Sequence, residues 1–117
     1  MKSEFASFVN FLNNFANKSS EILTKKFRKK FNFESKKDGS FVTDIDKEIE
    51  ELFRRKVKQV YPSHGIYGEE FGYSNKNSEY VWVIDPLDGT HSFISGKPLF
   101  GTLICLTFNR LPVIGLI

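Results

Sequence analysis

Hydrophobic and polar positions alternate along this chain with two periods. Near the N-terminus Phe5, Phe8, Val9, Leu12, Phe15 and Ala16 recur at helical spacing, and Ile22, Leu23 and Phe27 continue the stripe, which predicts a helix from residue 4 to about 31. Glu34 to Ser40 is polar and reads as a loop, with a tight turn at Asp38-Gly39. Phe41-Val42-Thr43 is a short extended piece. Ile45, Ile49, Leu52, Phe53, Val57 and Val60 then mark a second amphipathic helix that ends at Tyr61-Pro62. Thr43 and Asp46 fit a capping box at its start, and Arg54, Arg55, Lys56 and Lys58 fall mostly on its outer face.

The second half changes period. Gly65-Ile66-Tyr67 is short and β-like, Ser74 to Glu79 is a polar connection, and Tyr80 to Ile84 is a strand of β-branched and aromatic residues without a charge. Asp85-Pro86 is expected to stop that strand, because proline donates no ladder hydrogen bond. His91 to Ser95 reads as a helical turn. Thr102 to Phe108 and Leu111 to Ile117 read as two strands joined at Asn109-Arg110, with Pro112 at a strand start or edge. Two helices followed by several strands predict a single α+β domain over residues 1–117, built as layered helix and sheet.

Composition narrows the function. The 117 residues include 13 Phe and are 40% hydrophobic, enough for one modest core. A net charge of +3 is too mild to imply nucleic acid, and the run Lys25-Lys26-Phe27-Arg28-Lys29-Lys30 reads first as a solvated helix end. One cysteine, Cys105, lies in an apolar run, reads as a core thiol, and points to a reducing compartment. No stretch approaches the roughly 20 apolar residues that span a bilayer, and Asn10, Asn13 and Asn14 interrupt any signal-like segment. The expected location is the cytoplasm.

The chemistry concentrates where the central strand ends. Asp85 and Asp88 are held close on a stiff loop, and like charges held close require a cation between them. Glu69 and Glu70 follow another short strand, and strands packed side by side would bring Glu69 to Asp85. Carboxylates with the Leu87 carbonyl as a further ligand make an all-oxygen site, which favours Mg²⁺ over Zn²⁺. A bridging Asp85 could serve two ions about 4 Å apart, as phosphoryl chemistry uses. Gly89 lets a phosphate approach the backbone, and N–H groups of a helix beginning near Thr90 would face it. Thr90 is a candidate for holding an attacking water, or alternatively only a helix cap. His64 and His91 read as loop and surface residues.

The run Asp85-Pro86-Leu87-Asp88-Gly89-Thr90 resembles the signature of the inositol monophosphatase family, Mg²⁺-dependent and lithium-sensitive phosphomonoesterases. Gly68-Glu69-Glu70 resembles the family's acidic strand end. Lys36-Lys37-Asp38-Gly39-Ser40-Phe41-Val42-Thr43-Asp44-Ile45-Asp46 resembles its N-terminal motif. The segment Ser92 to Ile104 is most similar to the histidinol-phosphatase branch, which usually has Pro where Phe41 stands. The resemblance implies the layered sandwich of the inositol monophosphatase and sugar phosphatase type. It implies Glu69, Asp85, Leu87 and Asp88 as Mg²⁺ ligands and Asp46 with Thr90 as the pair that activates water. Gly89 and Thr90 would supply phosphate-binding amides, with Lys36 near the substrate's anionic groups. Family members are much longer, so the chain is expected to be the N-terminal half of such an enzyme. Two activities follow: hydrolysis of a small phosphorylated metabolite of the histidinol phosphate or inositol monophosphate class, or a catalytically incomplete metal-binding or assembly module. The expected partners are that metabolite and, at an unfinished sheet edge, a second copy or a separately encoded C-terminal half; neither nucleic acid nor membrane is expected.

Overall fold

Alternation along one strand sets the layers. In the computed structural model, which describes residues 2–117, strand β5 (Tyr80–Asp88) buries Trp82 and Ile84 while Val81, Val83 and Asp85 on the opposite face stay half-buried. The same alternation in β6 (Gly101–Phe108) buries Ile104 and Leu106. These strands lie in a five-stranded sheet of order β4-β3-β5-β6-β7, with β3 (Gly65–Gly68), β4 (Gly72–Ser74) and β7 (Leu111–Leu116) completing it. Only β3 and β5 run parallel; the other neighbours are antiparallel.

Two helices cover one face. Helix α1 (Lys2–Lys26) contributes Phe8, Leu12, Phe15 and Leu23, and α2 (Asp44–Val60) contributes Ile45, Ile49, Phe53 and Val57. Phe8, Phe11 and Phe53 meet Trp82 within 6.0 Å of ring centroid distance, so one aromatic cluster joins both helices to the sheet. Trp82 Nε1 donates to His64 Nδ1 at 3.0 Å, and the His64 ring stacks on Tyr61. His64 is therefore part of the packing and not only a loop residue. Burial lowers its pKa, with Glu4 opposing weakly. The opposite sheet face stays open, with Tyr67, Val83, Leu103, Cys105 and Gly115 lining an apolar depression.

Several expected boundaries move. Helix α1 ends at Lys26 rather than near residue 31, because Arg28 adopts a left-handed conformation (φ 60°) and donates from Nε and Nη2 to the Gly96 carbonyl. Phe27 and Phe31 continue the apolar stripe outside the helix, packed on Phe93. Phe5, expected in the stripe, is exposed. Part of the expected polar loop is strand β1 (Phe33–Ser35), paired with β2 (Phe41–Thr43). Gly39 (φ 86°) turns that hairpin, and Asp38 Oδ1 accepts from the Ser40 amide at 3.0 Å. Pro86 does not end β5. The ladder skips it, since Asp85 pairs with Leu103 but Asp88 with Gly101, and the strand resumes past a bulge. The Pro86 carbonyl accepts instead from Thr102 Oγ1 at 2.8 Å. Cys105 is not in the core; it sits half-buried on the open face, where burial raises its thiol pKa.

Candidate metal and phosphate centre

Parallel pairing of β3 with β5 aligns the ends of two strands. Gly68 stands opposite Ile84, and the Glu69 amide donates to the Ile84 carbonyl at 3.1 Å, so Glu69 and Asp85 directly follow the last paired residues of β3 and β5. The bulge then turns Leu87 and Asp88 toward the same place. Gly89 follows at φ 85°, a conformation glycine adopts without strain. A Cβ there would lie 2.4 Å from the Leu99 carbonyl oxygen, so a side chain has no room. Gly89 opens the short helix α3 (Thr90–Ile94), anchored by buried Phe93.

These segments enclose a cavity of about 250 Å³ lined by Lys36, Glu69, Glu70, Asp85, Leu87, Asp88, Gly89 and Thr90. Asp46 lies behind it, buried at the start of α2. Asp46 Oδ1 accepts from the Thr43 amide at 3.0 Å and from the Thr43 hydroxyl, while Thr43 Oγ1 accepts from the Ile45 and Asp46 amides at 3.2 Å. This is the expected capping box. The second Asp46 oxygen, Oδ2, faces Thr90 Oγ1 at 3.5 Å, and Thr90 Oγ1 also lies 3.0 Å from the Leu87 carbonyl. Residues 44 positions apart thus share one polar chain.

The charge balance is strongly negative. Lys36, carried by the β1–β2 hairpin, meets Glu70 at 2.9 Å and Glu69 at 4.0 Å. It is the one ammonium lining the cavity among the described residues, against Glu69, Glu70, Asp85 and Asp88. Burial, then Glu69 and Asp88, push the Asp85 carboxyl up to about 6, with the Leu87 amide opposing. Burial likewise raises Asp46 against the Thr43 hydrogen bonds, and raises Glu70 against Lys36. For Lys36 burial acts downward, but Glu70, Glu69 and Asp46 outweigh it and raise the pKa. Both members of the Lys36–Glu70 pair are thus raised, Glu70 chiefly by burial and Lys36 by the carboxylates around it.

The donor chemistry of the lining is that of a hard-cation site. Its donors are carboxylate and carbonyl oxygens, which suit Mg²⁺. Among the described residues no three His, Cys, Asp or Glu side chains are drawn together into a ready-made cluster. Glu69 and Asp88 are the exposed members of the acidic lining, and Asp85 is half-buried. His91 is exposed as expected, yet it lines the cavity and meets Phe41 edge-on at 4.6 Å, so both form one wall.

Sequence reasoning missed Glu50 and misplaced Arg54. Glu50 is fully buried one turn after Asp46, and Arg54 turns inward to it at 3.0 Å instead of lying on the outer face. The signal was present: Asp46, Glu50, Phe53 and Val57 share one helical stripe, so an acid stood at a core position.

A family model described as the inositol monophosphatase family matches residues 5–117. Bifunctional phosphatase IMPL2, chloroplastic, from Arabidopsis thaliana is 48% identical over 117 residues, covering 98% of this chain and 34% of that protein. A histidinol-phosphatase from Chlorobaculum parvum is 41% identical over 83 residues, covering 71% of this chain and 32% of that protein. Among solved structures, an IMPase from Thermotoga maritima superposes with a TM-score of 0.86 at 25% identity, covering 93% of this chain and 42% of that one. The chain spans about a third of the length of these curated relatives.

Proposed function

The chain belongs to the inositol monophosphatase family, and from that premise we propose that it forms the metal- and phosphate-binding part of a Mg²⁺-dependent phosphate monoester hydrolase. The observation that carries the reading is the convergence of Glu69, Asp85, Leu87 and Asp88 on one cavity with the Asp46–Thr90 pair at its back. Glu69, Asp85, Asp88 and the Leu87 carbonyl would hold Mg²⁺, which supplies charge neutralisation and Lewis acidity to the phosphoryl group. Sharing an ion would require the exposed Glu69 and Asp88 side chains to turn toward Asp85.

The chain's own residues handle the proton and the anion. A water on Thr90 Oγ1 passes a proton to that hydroxyl as Thr90 passes its own to Asp46 Oδ2. Asp46 suits the role because burial raises its affinity for a proton while Thr43 holds its other oxygen in place. Gly89 keeps the Leu99 side of the cavity free of a side chain, so a phosphate can approach the backbone of residues 89 and 90. Lys36 neutralises Glu70 and stands ready for substrate oxygens. The substrate is a small phosphorylated metabolite of the histidinol phosphate or inositol monophosphate class, the activities for which relatives are named.

Phosphate release by the 117-residue chain, with histidinol phosphate and inositol 1-phosphate at millimolar Mg²⁺, tests this. Release that disappears in Asp85→Asn is expected. Saturable Mg²⁺ binding without release assigns the chain instead to a metal-binding module whose turnover needs further residues. A chain that shows no Mg²⁺ binding and no phosphate release overturns the reading.

A further inference from the structure

Glu50 is an acid with no access to the cavity, and its environment explains why it is there. Burying a carboxylate is costly unless charge and hydrogen bonds compensate it. Arg54 Nε donates to Glu50 Oε2 at 3.0 Å, and Nη2 lies 3.0 Å from the same oxygen as an ion pair. The backbone amides of Glu70 and Phe71 donate to its two oxygens at 2.8 and 2.9 Å. Arg54 Nη2 also donates to the Gly72 carbonyl at 2.5 Å. Gly68 rests against the carboxyl group, where a Cβ would fall 2.3 Å from Glu50 Cδ. The backbone from Gly68 to Gly72 is therefore wrapped on this ion pair, and Glu69 and Glu70 lie within the wrapped segment.

We propose that Glu50 is a positioning residue, whose carboxylate, locked by Arg54, clamps the Gly68–Gly72 turn so that Glu69 and Glu70 face the cavity shared with Asp85. The proposal rests on the reading that Glu69 and Asp85 hold a divalent cation. A carboxylate is required because every group around it is a donor. Glutamine would set its own NH₂ against an amide or the guanidinium. Asp46 and Glu50, one turn apart, thus do different work from one helix: the first meets Thr90, the second shapes the loop opposite.

Two measurements on the 117-residue chain test this: Mn²⁺ binding by calorimetry, and amide hydrogen exchange in EDTA. Glu50→Gln, shown folded by near-UV circular dichroism, is expected to weaken Mn²⁺ binding about 10-fold or more. It is also expected to speed exchange at Glu70 and Phe71 while the β6 amides keep their protection. Glu50→Asp restores part of the affinity, and Val57→Ala, a core truncation away from the turn, leaves the Kd unchanged. A folded Glu50→Gln with wild-type Kd and wild-type protection overturns the proposal. If Glu50→Gln does not fold, Arg54→Gln decides, and an unchanged Kd and exchange rate there overturn it as well. If the wild-type chain takes up no Mn²⁺, the metal reading fails, while exchange at Glu70 and Phe71 still decides whether Glu50 clamps the turn.

Discussion

Replacing Asp85 with asparagine should stabilise this protein while removing its function. Burial, Glu69 and Asp88 raise the Asp85 carboxyl from 3.8 to about 6. A carboxyl raised on folding makes the charged folded state less favourable. That cost is absent below the unfolded pKa of 3.8, grows between 3.8 and 6, and is complete above 6. Full conversion gives about 3 kcal/mol, and solvent screening of this half-buried group reduces it to about 1–2 kcal/mol. Asparagine keeps the shape and an oxygen for the Leu87 amide, and carries no charge. In EDTA at pH 7.5, Asp85→Asn should therefore unfold in urea at a midpoint higher by roughly 0.5–1 M, with unchanged slope. The advantage should vanish below pH 4. Adding Mg²⁺ should raise the midpoint of the wild type alone. A variant less stable than wild type in EDTA, or a difference independent of pH, refutes the reasoning.

Other substitutions probe the supports of the site. Gly89→Ala combines a left-handed backbone with a Cβ at 2.4 Å from the Leu99 carbonyl, and should cost about 2 kcal/mol or more by urea denaturation. Thr43→Val removes the hydroxyl that caps α2 and holds Asp46, and should cost about 1–2 kcal/mol by the same assay. Lys36→Gln strands the nearly buried Glu70 carboxylate, and should cost about 2 kcal/mol. The Lys36→Gln loss should be larger at pH 8 than at pH 5, because Glu70, already raised by burial, sheds its unpaired charge by taking a proton as pH falls.

The residues most legible in the sequence were those whose role is set by local pattern. The stripe Ile45, Ile49, Phe53 and Val57 fixed α2, and Tyr80 to Ile84 fixed the central strand, because each follows one period on one buried face. The proximity of Glu69 to Asp85 was legible because each acid directly follows a short apolar run, and those runs form the parallel pair that ends at Gly68 and Ile84. The family fold followed from three ordered motifs. What escaped depends on distant contacts. The end of α1 is set by Arg28 reaching Gly96, 68 residues away. Pro86 stays in β5 because a bulge and Thr102 accommodate it. Arg54 turns inward only because Glu50 waits there, and a charged residue on a helix is by habit assigned to solvent.

The central claim, that Glu69, Asp85 and Asp88 share a divalent cation, is met most directly by electron paramagnetic resonance of Mn²⁺ titrated into the 117-residue chain at pH 7.5. Wild-type protein should suppress the free-ion signal saturably, and Glu69→Gln, Asp85→Asn and Asp88→Asn should each leave most of it intact. A free-ion signal undiminished by wild-type protein, or equally suppressed by all three variants, contradicts the account.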